Sequence, residues 1–87
     1  MKEEEIMTIL QEECSEVIQM VCKIRRFGLD EEYLNWGSNR ERLAVEVGDL
    51  QAMIDLLQIH DIVSIESVDR AKLAKFEKLK KWSEIFK

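Results

Sequence analysis

Between Glu3 and Arg26 the apolar residues Ile6, Ile9, Leu10, Val17, Met20, Val21 and Ile24 return at helical spacing, and neither proline nor glycine interrupts them. Such spacing lays one apolar stripe along a helix of 3.6 residues per turn. At about 1.5 Å per residue this helix is roughly 36 Å long, enough to run the length of a small bundle. Gly28 is its natural stop. The remainder of the chain agrees with this start. It is 46% hydrophobic and 36% charged, with no proline and three glycines, a balance that suits long amphipathic helices rather than sheets or disordered chain.

The segment Phe27 to Ser38 holds two of the glycines and one candidate turn of helix, Asp30 to Leu34, and reads as a structured connection. Ser38 with Glu41 three residues on forms a capping box, so a second helix is expected from Asn39 to Ile59, with Leu43, Val47, Leu50, Ile54 and Leu57 toward the core. After a break near His60 to Ile65, Ser64 or Ser67 caps a third helix. It is expected to turn Val68, Leu73, Phe76, Leu79, Trp82 and Phe86 inward. Trp82 and Tyr33 are read as core or interface residues. Short connections imply antiparallel neighbours. The expected architecture is therefore a single all-α domain over residues 1–87, an antiparallel bundle of three long helices. A chain of 87 residues hides only about 60 to 65% of its unfolded surface, so completion by a second copy is expected.

Several classes are excluded. Apolar runs such as Ile62-Val63 are far shorter than the roughly 20 residues of a membrane span, and the acidic start Met1-Lys2-Glu3-Glu4-Glu5 is unlike a signal peptide. A cytoplasmic location is expected. Cys14 and Cys22, eight apart on one helix, are too distant to be bridged and read as reduced, small apolar side chains. Net charge is −5 but uneven: residues 1–69 hold 6 Lys/Arg against 16 Asp/Glu, giving −10, and residues 70–87 hold 7 against 2, giving +5. The acidic body argues against nucleic acid as the partner.

The acids carry the chemistry. At about 100° per residue, Glu13 falls within about 20° of the stripe centred on Ile6, Leu10, Val17 and Ile24, with Glu16 on its flank and Glu12 further round. Helix 2 repeats the anomaly: Glu46 lies at the edge of the Leu43, Leu50, Leu57 face, and Asp49 follows one turn on. Two helices packed about 8 to 10 Å apart bring such side chains together. Burying even one unpaired ion costs several kcal/mol, so something positive must compensate. All-oxygen ligation selects a hard cation, Mg²⁺ or alternatively Mn²⁺, and Mg²⁺ habitually accepts phosphate oxygens as well. A di-iron centre would need Glu-x-x-His, and the single histidine, His60, has Leu57 three residues before it.

Glu12-Glu13-x-x-Glu16 and Glu46-x-x-Asp49 resemble the signature of the MazG-like, all-α nucleoside triphosphate pyrophosphohydrolases. The resemblance extends to Glu12-Glu13-Cys14-Ser15-Glu16-Val17 leading into Lys23-Ile24-Arg25-Arg26-Phe27-Gly28, and to Asn39-Arg40-Glu41-Arg42-Leu43 leading into Val47-Gly48-Asp49-Leu50. It covers most of the chain and is nearest to short phage and bacterial members. It implies hydrolysis of a (d)NTP to the monophosphate and pyrophosphate, at a site formed in a dimer or pair of dimers. Carried over by position, Glu13, Glu16, Glu46 and Asp49 would hold Mg²⁺, and Glu12 would orient a ligand or draw a proton from the attacking water; which of Glu12 and Glu13 is the base stays open.

For the substrate, Lys72 and Lys75 lie within the apolar stripe of helix 3 and are candidates for the phosphates, alongside Lys23 and Arg26; the solvent-facing alternative is that the helix 3 pair snorkels from the rim. Lys78, Lys80 and Lys81 read as a solvated face. Trp36 and Asn39 offer a stacking surface and an amide for the base or sugar. Gly48, costing about 1 kcal/mol against alanine in mid-helix, calls for close approach of a helix or ligand. The competing reading is a non-catalytic helical dimer that binds a protein or nucleotide, its acids paired to helix 3. A third makes residues 70–87 a basic amphipathic helix for a membrane surface or nucleic acid.

Overall fold

The computed structural model describes residues 1–32 and 34–87. It is all-helical: α1 (Lys2–Phe27), α2 (Asn39–Ile59) and α3 (Ile65–Trp82). None of these helices is long and apolar enough to cross a membrane.

Each end has a local chemical cause. Gly28 closes α1 at φ 96°, ψ 160°, a region that only glycine enters readily, while its N–H still reaches the Ile24 carbonyl at 2.7 Å. Ser38 caps α2, accepting from the Glu41 N–H at 3.1 Å. The second half of the expected capping box takes another form, because the Ser38 hydroxyl donates to the Glu41 carboxylate at 3.2 Å. Ser64 caps α3 by accepting from the Ser67 N–H at 3.1 Å. Asp61, at φ 56°, turns the chain after α2, and Ile62 N–H bonds back to the Leu57 carbonyl at 2.8 Å.

The candidate helical turn at Asp30 to Leu34 is replaced by something else among the described residues; Tyr33, read as a core or interface residue, lies outside them. Glu32 forms an isolated antiparallel bridge with Ser38. The first N–H groups of α2, from Asn39 and Arg40, donate to the Glu31 and Leu29 carbonyls at 2.9 and 2.8 Å. Asn39 is buried, and its side-chain amide donates to the Gly28 carbonyl at 2.9 Å. The connection therefore ends α1 and starts α2 with one set of bonds, which removes any need for an intervening helix.

α1 and α2 pack along each other, with Ile6, Met20 and Met53 buried between them. Val17, Ile24, Leu43, Leu50, Ile54 and Leu57 are half-buried on the same joint. Val21 and Val47 do not join it; both are exposed, at its edges. The larger correction concerns α3. Its expected inward face is open, with Leu73 67%, Phe76 46%, Trp82 77% and Phe86 51% exposed, and only Val68 and Leu79 are half-covered. Phe86 folds back edge-on to Phe76, at 6.2 Å between ring centres, instead of meeting α1 or α2. The short turn after α2 leaves α3 pointing away from the pair.

Gly28→Ala is expected to destabilise the fold by about 2 kcal/mol, because a Cβ is strained at that φ. No neighbouring atom blocks it, so urea unfolding should show the full backbone cost with native helix content unchanged. A midpoint equal to that of the wild type would show that the connection can re-form around another conformation.

Candidate functional site

The α1–α2 joint is apolar at both ends and acidic in the middle. Glu13 arrives from α1 between Ile6 and Met20, and Glu46 from α2 two turns before Met53; both are half-buried. Asp49, one turn beyond Glu46, approaches the same point from the exposed side. One carboxylate oxygen from each of Glu13, Glu46 and Asp49 lies within 4.8 Å of the others. Glu16 and Glu12 are exposed and stand outside this triad, but their charges act on Glu13.

Among the described residues, no lysine or arginine forms an ion pair with these acids. The ion pairs among the described residues are Arg40–Asp30, Lys80–Glu77 and Lys87–Glu84, and none involves the five acids. Partial burial is the largest cause pushing the Glu13 carboxyl above its ordinary value of 4.5, followed by the negative charges of Asp49, Glu46, Glu16 and Glu12. The donor set fits a hard divalent cation. Octahedral Mg²⁺, with oxygens at about 2.1 Å, spaces neighbouring ligands about 3 Å apart and opposite ones about 4 Å apart. Asp49 is exposed, so the triad opens to solvent on that side.

About one turn of α2 further toward the connection, a depression of about 430 Å³ is lined by Lys23, Phe27, Glu31, Glu32, Asn39 and Arg42. It combines two cations and two carboxylates with an aromatic ring. Lys23 and Asn39 are among the residues expected to meet substrate. Asn39 has a structural task as well, since its amide nitrogen is held by Gly28. Phe27 and Arg42 were not singled out from sequence. The available signal was position: Arg42 precedes Glu46 by one helical turn on the same face.

The other expected substrate residues are not brought to the carboxylates within one chain. Arg26 is exposed and stacks over Phe27 at 5.2 Å. Trp36 is exposed in the connection, outside the lining of the depression. Lys72 and Lys75 ride on α3, which leaves the α1–α2 pair, and both are exposed. Gly48 likewise has open space around it, with no atom within 4 Å of an added Cβ, so the close approach expected there is absent within the chain. Compared with known proteins, the chain matches no family model, no curated protein and no solved structure.

The raised Glu13 value fixes a sign. Below 4.5 the acid is protonated in folded and unfolded chain alike, whereas ionisation at higher pH is resisted only in the fold. Without divalent cation, Glu13→Gln should therefore gain in stability over wild type as pH rises from 4.5 through the elevated folded value. Thermal melts of both proteins across that window test this. Parallel pH profiles would mean that Glu13 does not feel the cluster.

Proposed function

We propose that this chain is a Mg²⁺-dependent nucleoside triphosphate pyrophosphohydrolase of the MazG-like kind, built as an antiparallel helical bundle and working as a homo-oligomer on the cytoplasmic nucleotide pool. The observation that carries the reading is the convergence of Glu13, Glu46 and Asp49 from two helices, within 4.8 Å and without a cationic partner. Structural ion pairing within the chain would have placed a lysine or arginine there. The Lys-x-x-Arg-Phe-Gly and Gly-Asp elements around the acids support the same family by resemblance.

In this reading Glu13, Glu46 and Asp49 would hold the ion, and Glu16 would join from the next turn of α1. Bound Mg²⁺ would neutralise charge on the phosphates and acidify water. Glu12, exposed beside the triad, would take the proton of the attacking water or orient a ligand, with Glu13 the alternative base. Water adds to the α-phosphorus, the α–β anhydride bond breaks, and the products are the nucleoside monophosphate and pyrophosphate. Lys23 and Arg42 offer cations for phosphate oxygens, and Phe27 offers a face for stacking. Arg26, Trp36 and Asn39 remain neighbours able to meet the sugar or base. Lys72 and Lys75 would reach the phosphates from another subunit.

A panel of NTPs and dNTPs incubated with Mg²⁺ should release pyrophosphate. Glu13→Gln and Asp49→Asn should each reduce the rate by about 10² or more, and Glu12→Gln by about 10² to 10⁴ if it is the base. The assignment is wrong if no nucleotide is cleaved, or if the first two variants cleave normally. A calorimetric titration separates catalysis from a purely structural bundle. Mg²⁺ should bind more tightly beside a non-hydrolysable triphosphate, and at about 100 times its dissociation constant it should add about 2.7 kcal/mol of stability. A helical dimer with ion-paired acids would give neither response.

A further inference from the structure

The depression beside the acidic triad holds charges of both signs that do not meet. Lys23, Arg42, Glu31 and Glu32 all line it, yet the ion pairs among the described residues are Arg40–Asp30, Lys80–Glu77 and Lys87–Glu84. Opposite charges kept apart in one hollow suit a ligand that is anionic at one end and rich in N–H donors at the other. The volume, about 430 Å³, falls within the roughly 300 to 1,000 Å³ usual for small-molecule sites.

One polar group there has a fixed orientation. Asn39 is 3% exposed and lines the depression. Its Nδ2 donates to the Gly28 carbonyl at 2.9 Å. A carbonyl only accepts, so the other end of the amide, Oδ1, is an acceptor. No donor among the described residues reaches that oxygen, and among them no buried side-chain polar atom lacks a partner. The Oδ1 atom is therefore open to a donor entering the depression.

The order of residues along α2 gives the ligand a direction. Asn39, Arg42, Glu46 and Asp49 are spaced 3, 4 and 3 residues apart, so they follow one another along one face. At about 1.5 Å per residue, Arg42 stands about 6 Å and Asn39 about 10 Å along the axis from Glu46. A nucleotide whose phosphates reach the triad past Arg42 and Lys23 brings its base to Asn39, Phe27, Glu31 and Glu32. Phe27 is 58% exposed and offers its ring for stacking. The polar groups around it are acceptors: two carboxylates and the Asn39 oxygen.

Acceptors alone discriminate among bases. Guanine presents N1–H and its N2 amino group side by side, two donors that one carboxylate can accept with both oxygens. Adenine and cytosine set a ring-nitrogen acceptor beside their amino group, and uracil flanks its single N–H with carbonyls, so each turns a lone pair toward the carboxylate. We infer that Glu31, Glu32 and the Asn39 oxygen select guanine, making guanine nucleoside triphosphates the preferred substrates. This selectivity rests on the proposed hydrolysis and adds to it the identity of the base.

Hypoxanthine keeps N1–H and lacks the amino group, so GTP against ITP isolates the contact. With Mg²⁺, kcat/KM for GTP should exceed that for ITP, ATP, CTP and UTP by about tenfold or more; exposure of Glu31 and Glu32 holds the ratio to that order. Glu31→Ala with Glu32→Ala should lower kcat/KM for GTP about fivefold more than for ITP. Calorimetry with the α,β-methylene analogues of GTP and ITP should show the same narrowing in the ratio of Kd values, independently of turnover. Both side chains are exposed, so circular dichroism should show native helix content in this variant. Equal kcat/KM across the bases, another base ahead of guanine, or an unchanged GTP-to-ITP ratio in the folded variant overturns guanine selection and leaves the hydrolase standing. Neither cleavage nor binding of any nucleotide overturns both.

Discussion

Like charges of two helices meet at the middle of the only extensive helix–helix joint in the described fold. Apolar burial by Ile6, Met20 and Met53 pulls α1 and α2 together on either side of Glu13 and Glu46. The closer that packing, the more the carboxylates repel and the less water screens them. The raised Glu13 value is the mark of this opposition. A divalent cation would reverse the sign of the central interaction, because carboxylates from both α1 and α2 face the same point.

The same constraint explains why the joint is thin. Replacing Glu13 and Glu46 by leucines would give α1 and α2 an ordinary continuous seam, whereas the acids divide it into two small apolar patches. Stability must then come from the connection and from other surfaces. The connection answers with local bonds: Gly28, Asn39 and Ser38 satisfy the backbone groups at both helix ends in one network, and buried Asn39 ties the end of α1 to the start of α2.

What the sequence made readable follows from the range of the forces involved. Helix limits and caps are local, and Ser38, Ser64 and Gly28 end or start helices where their chemistry requires. The convergence of Glu13 with Glu46 and Asp49 could also be read, since helical period places each acid on a face that must pack. The fate of α3 could not. Periodicity shows that Val68, Leu79 and Trp82 share a face, with Leu73 on the opposite side, but it does not say whether the covering surface belongs to the same chain. Val21 and Val47 misled for the same reason. The depression bounded by Phe27 and Arg42 depends on how the connection folds over the helix ends, which periodicity does not encode.

Charge distribution joins these strands. An acidic body of −10 and a basic segment of +5 on one chain attract, yet the turn at His60 to Ser64 carries α3 away from its own α2. Folding α3 back would require reversing the chain within that turn, against the Ser64 cap and the Ile62 to Leu57 bond. The acids of the joint and the cations of α3 therefore stay apart among the described residues, which leaves Glu13, Glu46 and Asp49 open to a cation from solution.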